Sequence, residues 1–179
     1  MPDYVTSVPE GGFFGWPGYY MGGHQHPLQH PRLPQPCADG SGANPQAAAE
    51  SPDAKSCKHV DLHAKVFTPD VLVQPHMTPL EMTFYPASGS FPQAYDGDGF
   101  AAEHGSWNRE KRTGHEVIRI PMQNGKADGS YEDFLTGFVV EWRFGVGPAG
   151  VAIGKDGSMF VTDDGSRTVV ACHLRRRSR

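Results

Sequence analysis

The sequence predicts an all-β chain, and three observations carry that prediction. Twenty-two Gly and sixteen Pro among 179 residues are too many for a helical protein and suit short strands joined by turns. From residue 66 onward, apolar runs of about five residues alternate with turn residues. Two of those turns carry the Asp-Gly hairpin signature, at Asp156-Gly157 and Asp164-Gly165. With 37% hydrophobic and 11% aromatic residues, the chain has material for one domain with a real core.

The elements follow in order. Asp3-Tyr4-Val5-Thr6-Ser7-Val8 alternates like a strand. Glu10 to Pro17 then mixes glycines that permit tight backbone with the aromatics Phe13, Phe14 and Trp16. A loop-rich Pro/Gly/Ala insert fills 23–65, where no apolar period survives. Val66-Phe67 and Val71-Leu72-Val73 lead into three strands, Leu80–Tyr85, Gly99–Glu103 and Glu116–Ile120, with Tyr131–Leu135 as a candidate fourth. A second cycle follows: Gly150–Ile153, a turn at Gly154–Gly157, Ser158–Asp163, a turn at Asp164–Ser166, and Thr168–Val170. Strand, Asp-Gly turn, strand, Asp-Gly turn, strand is the rhythm of a propeller blade. A generic antiparallel sandwich satisfies the same local pattern.

Several classes are set aside by composition. The net charge of −4 implies no polyanion partner, so no nucleic acid is expected. No apolar stretch approaches the length of a membrane span. Met1-Pro2-Asp3-Tyr4 lacks the basic-then-apolar pattern of a signal peptide. Cys37 and Cys57 flank the insert and read either as a disulfide closing it, if the protein is exported, or as two free thiols. His24, His26 and His30 have no Cys or carboxylate at ligand spacing and read as a solvated loop. Asp163-Asp164-Gly165 lacks the later ligands of a calcium loop and fits a blade turn. Gly145-x-Gly147-x-x-Gly150 matches the dinucleotide fingerprint as a string, but a strand and an Asp-Gly turn follow where that motif needs a helix.

Four colinear segments resemble the C-terminal part of the glucose/sorbosone dehydrogenase-like family. They are Pro2–Val5 with Gly11–Pro17, Pro69–His76, Ala102–Arg109, and Lys155–Gly165. The resemblance covers nearly the whole chain outside 34–60. It implies four-stranded antiparallel blades of a six-bladed β-propeller that oxidises a sugar with pyrroloquinoline quinone and calcium, and a full-length parent that is periplasmic or secreted. A blade takes roughly 40–50 residues, so this chain holds about two blades plus the exit of a third. The family's general-base His, an Arg-Asn pair on the quinone and the calcium carbonyls lie ahead of the segment that resembles Met1 onward. The resemblance therefore implies a fragment, inactive as it stands, with Met1 an internal start or a cut edge.

Of the residues present, the resemblance places Gln74, His76, His104, Asn108 and Arg109 in loops facing the cofactor. Arg109 is the candidate cation for a quinone carboxylate, because a guanidinium matches a carboxylate bidentately; Lys111 and Arg112 are its rivals. His104 is expected as a hydrogen-bonded loop histidine rather than the base. Two departures stand out. Relatives read Trp-Gly-Arg-Pro-x-Gly-Val where this chain has Trp142 to Val151, with Gly147 in place of the Arg before Pro. The family's closing strand resembles Trp-Arg-Val-x-Tyr, whereas this chain reads Val170-Ala171-Cys172-His173-Leu174. Codons exist for that stretch which give the family pattern when read one base later, so 170–179 is expected to be a frameshifted tail. Two other readings remain: a non-catalytic carbohydrate- or protein-binding module using Gln74, Trp107 and the His-rich loop, or an enzyme completed by a separate chain. Uncovered blade edges predict self-association.

Overall fold

The computed structural model describes residues 2–15, 19–21, 24–25, 66–87, 89–139 and 147–173. Its strands are β1 (Asp3–Val5), β2 (Tyr19–Tyr20), β3 (His24–Gln25), β4 (Val71–Val73), β5 (Pro79–Phe84), β6 (Gly99–Glu103) and β7 (Glu116–Ile120). They continue with β8 (Met122–Gln123), β9 (Lys126–Ala127), β10 (Glu132–Leu135), β11 (Pro148–Ile153), β12 (Met159–Asp163) and β13 (Thr168–Cys172). Among the described residues the helical content is a single 3₁₀ turn at Gln93–Tyr95.

The chain divides into two units, Met1–Thr6 with Asp70–Arg179, and Ser7–Pro69. In the smaller unit, Phe13 bridges Val66, the Phe67 amide donates to the Phe13 carbonyl at 2.8 Å, and the Phe14 and Phe67 rings lie 5.9 Å apart. Strands β2 and β3 form a short hairpin there. Cys37, Cys57, His26, His30 and most of the insert lie outside the described residues, and of His24 the structure describes only its place in β3.

The larger unit consists of antiparallel sheets, none of them closed. Strands β1 and β4 pair as a ribbon; β10-β7-β6-β5 form a four-stranded sheet; β11-β12-β13 form a three-stranded one. This is the expected incomplete propeller: one whole blade, most of a second, and the exit of a third. The sequence expectations match closely where apolar residues alternate with polar ones. Both β6 and β7 have the predicted limits, and the candidate fourth strand is β10. The β8–β9 hairpin was not anticipated, although its Asn124-Gly125 turn, with φ of 52° and 76°, has the signature of a tight hairpin.

Strand β6 is buried along its whole length because both of its own faces are covered. One face packs Phe100, Ala102 and Val117 with Tyr85 and with Val151, Met159 and Val161 of the three-stranded sheet. The other packs Ala101, Ile118 and Ile120 with Val71, Val73 and Met77. Residues 170–172 complete β13 in register, with Cys172 opposite Met159 and half-buried against the first core. The His173 Nδ1 lies 2.7 Å from the Ser158 hydroxyl. Residues 174–179 lie outside the described residues.

Candidate functional site

Three connections meet at one end of the larger unit: the β4–β5 loop, the β6–β7 loop of residues 104–115, and the turn after β12. They are joined through backbone. The His104 amide donates to the Thr78 carbonyl at 3.0 Å and the Gly105 amide to the Met77 carbonyl at 2.8 Å. Gly105 has φ +92°, and a Cβ there would run into the His115 ring, so the loop can close only with glycine at this position. Ser106 and Thr113 then tie the loop across its waist: the Ser106 amide donates to the Thr113 carbonyl, and the Thr113 amide donates to the Ser106 hydroxyl, each at 2.9 Å.

The β4–β5 loop holds two non-glycine residues in left-handed backbone, His76 at φ 66° and Thr78 at φ 56°. For a β-branched residue this is a strained state that surrounding contacts must fix. Those contacts are present for Thr78. Its amide donates to Asp3 Oδ2 at 2.9 Å, and its carbonyl accepts from His104.

Arg109 is half-buried and crosses from one loop to the other. Its Nη1 donates to the Pro75 carbonyl at 3.2 Å and to Gln74 Oε1 at 3.4 Å. The Thr113 hydroxyl donates to the same Gln74 oxygen at 3.3 Å. Both Arg109 bonds use Nη1, so the remaining edge of the guanidinium keeps the fork that takes a carboxylate bidentately. His104 Nε2 lies 2.9 Å from Asp164 Oδ1, which joins the β6–β7 loop to the turn after β12. Of the five sequence-predicted site residues, the structure thus brings Gln74 and Arg109 together. It ties His104 to Asp164, which the sequence marks only as part of a turn. His76 and Asn108 are exposed on the same two loops.

Gly147 bears on the missing cation. A Cβ at Gly147 would overlap the His104 carbonyl oxygen and come within 3.2 Å of His115 Nδ1. An arginine side chain does not fit this backbone without movement of the His104 loop. Arg143 lies outside the described residues. Beneath the loops lies a group the sequence reading missed. Glu103 is 0% exposed, and neither carboxyl oxygen has a hydrogen-bond partner. Burial, reinforced by the neighbouring charges of Asp3 and Glu116, pushes its pKa to about 8. The one sequence signal was a Glu ending an otherwise apolar strand.

The TrAA12-like family matches residues 5–174. The chain belongs to that family. Over 101 residues the TrAA12-like chain is 34% identical to an uncharacterized protein of Borreliella burgdorferi, covering 55% of the chain and 26% of that protein. The PQQ domain of pyranose dehydrogenase from Coprinopsis cinerea is 25% identical, with a TM-score of 0.51, over 62% of the chain and 30% of that domain. A calcium structure of the Trichoderma reesei Carbohydrate-Active Enzymes Family AA12 protein is 17% identical, with a TM-score of 0.58, over 90% of the chain and 38% of that protein. The TrAA12-like chain therefore spans about a quarter to two fifths of these relatives.

The free edge of the Arg109 guanidinium, held by Gln74 and the Pro75 carbonyl, has the geometry to take a carboxylate bidentately. Among the described residues no group of three or more His, Cys, Asp or Glu is placed to hold a metal ion. Nor is any helix of the described residues long and apolar enough to cross a membrane.

Proposed function

We propose that this TrAA12-like chain is a portion of a quinoprotein sugar dehydrogenase, supplying part of the cofactor rim and inactive alone. The parent reaction would oxidise an aldose or sorbosone-type sugar, in a periplasmic or secreted protein. When bound, pyrroloquinoline quinone accepts the hydride removed from the sugar's carbinol carbon. This chain's part is binding and orientation. Arg109 takes a carboxylate of the cofactor; Gln74 and the Pro75 carbonyl fix the guanidinium so that little rotamer freedom is lost. Asp164 holds the His104 ring at the same rim. Calcium enters this reading only with the parent's other blades.

The observation that carries the reading is the Arg109 fork, bridged to Gln74 and Pro75 across two loops. Its test is a titration of the 179-residue chain with pyrroloquinoline quinone, followed by quenching of protein fluorescence. Arg109→Ala and Arg109→Lys should each weaken binding by about tenfold or more, since lysine keeps the charge but loses the bidentate geometry. Equal affinity in all three proteins would refute the assignment. A second reading, a non-catalytic carbohydrate-binding module, is favoured by Trp107, which is 75% exposed on the same loop. Sugar binding that survives Arg109→Ala and is lost in Trp107→Ala would favour it. The strip Leu80, Met82 and Phe84 along β5 is exposed and supports self-association.

A further inference from the structure

The β6–β7 loop, which carries His104, Asn108 and Arg109, is rooted between two carboxyl groups. Glu103 ends β6, Glu116 begins β7, and the two are directly opposite in the antiparallel register, so their side chains share one face of the sheet. Asp3 of β1 approaches from the ribbon packed on that face and also holds the Thr78 amide of the β4–β5 loop. Behind Glu116, Asp133 of β10 hydrogen-bonds to it. Arg119 of β7 is paired with Phe100 on the opposite face, where it binds Asp98 and Glu132, and Arg109 reaches to Gln74 and Pro75. His115 stacks on Gly105 within the loop, and His76 of the β4–β5 loop is exposed. Glu81 of β5 lies against Gly150 of β11 instead. Strand β4 is Val71-Leu72-Val73 and brings no charge.

The charges that act on Glu103 are those of Asp3 and Glu116, both negative, and among the described residues neither of its buried oxygens has a hydrogen-bond donor. An ionised carboxylate in that position would lack both hydration and a counter-charge, and would face Asp3 and Glu116. The neutral acid avoids all of this.

We propose that Glu103 is a proton lock at the root of the site loop: protonated, it lets β1, β6 and β7 close beneath residues 104–115, and its ionisation releases that loop. The raised pKa agrees with this geometry. The direction follows from linkage. The folded, closed form holds the proton up to about pH 8, whereas an opened Glu103 releases it near 4.5. The closed form is therefore favoured most at or below pH 4.5. It loses ground by about tenfold per pH unit from there to about 8 and changes little above. The lock stands whether or not the loop takes a quinone, because it concerns only the loop's closure.

Hydrogen–deuterium exchange of the whole chain, read as protection factors for backbone amides of 104–115 after correction for base-catalysed exchange, tests it. In the native sequence, protection should fall about tenfold per pH unit across that window and then level off. In Glu103→Gln that steep fall should be lost, leaving only the weaker dependence that Glu116, itself raised by burial and Asp133, contributes. Asp3→Asn keeps an acceptor for the Thr78 amide but removes a repelling charge, so the levelling-off should move to lower pH. A Glu103→Gln protein that loses protection with the native slope would overturn the lock. So would an Asp3→Asn protein with an unmoved transition, which decides the matter should Glu103→Gln fail to fold.

Discussion

The two faces of the blade's central strands, β6 and β7, are both largely buried and differently secured. Toward the three-stranded sheet the packing is aromatic. Phe100 and Phe134 meet edge to face at 4.7 Å, and Tyr85 stacks on Phe91 at 4.8 Å. Tyr95 closes the group beneath the Arg119 guanidinium, which sits 4.7 Å over its ring. Even the buried charge on the blade's rim is answered: Asp98, 4% exposed, accepts from Arg119 Nε at 2.6 Å and from the Met122 amide at 2.8 Å. Toward the β1–β4 ribbon the packing is aliphatic and ends at Glu103, whose oxygens are answered by nothing. One face is held by ring packing and by a buried carboxylate that has its counter-charge. The other is held by aliphatic packing that ends at a carboxyl group with no counter-charge. Both candidate site loops rise from the second.

The largest effect should come from emptying the first face. Phe100 is 0% exposed and touches Tyr85, Tyr95 and Phe134. Phe100→Ala should cost about 3–5 kcal/mol, the transfer of a buried ring plus the cavity it leaves. Urea unfolding should report that loss equally at pH 5 and pH 7; a cost that changes with pH would mean the two faces are coupled.

The second face should respond to pH itself. With the folded Glu103 pKa near 8 and the unfolded value near 4.5, the folded state binds the extra proton, so stability declines as pH rises through that window. Between pH 5 and 7 the native chain should lose about 2–3 kcal/mol from this group, at 1.36 kcal/mol per unit. Glu103→Gln should abolish that part of the slope. Unfolding that is as pH-dependent in the variant as in the native chain would assign the slope elsewhere.

Much of this fold was legible because a strand that is half or wholly buried writes its period into the sequence. Gly99–Glu103 and Glu116–Ile120 could be bounded to the residue, since turn chemistry stops each of them. The β8–β9 hairpin escaped notice because two-residue strands leave no period, and only Asn124-Gly125 marks it. The site was legible in part. Placing Gln74 and Arg109 on facing loops required a family resemblance, since 35 residues separate them. Their bond depends on the fold, and so does the 60-residue reach from His104 to Asp164. Glu103 was hidden for a different reason: a carboxylate at a strand end ordinarily reads as solvated. Only the register with Glu116 and the ribbon above it make it buried. Gly147 looked like a lost arginine, and the structure adds that the His104 carbonyl now occupies the room.

The smallest effect tests how the sealed face is joined to the next sheet. Tyr85 is 1% exposed, and its hydroxyl sits between two sheets. It donates to the Gly157 carbonyl in the β11–β12 turn and accepts from the Phe91 amide, both at 2.8 Å. Tyr85→Phe keeps the ring stack on Phe91 and removes only these two bonds, leaving a buried carbonyl and an amide to find other partners. The expected cost is about 1–2 kcal/mol. It should appear together with faster amide exchange at 154–158, while exchange at 104–115 stays unchanged, because that loop meets the three-stranded sheet at the other end of β12, through Asp164. If loosening the Tyr85 hydroxyl also loosened 104–115, the two faces would be one cooperative unit. The proton at Glu103 would then govern the whole blade rather than its site loop.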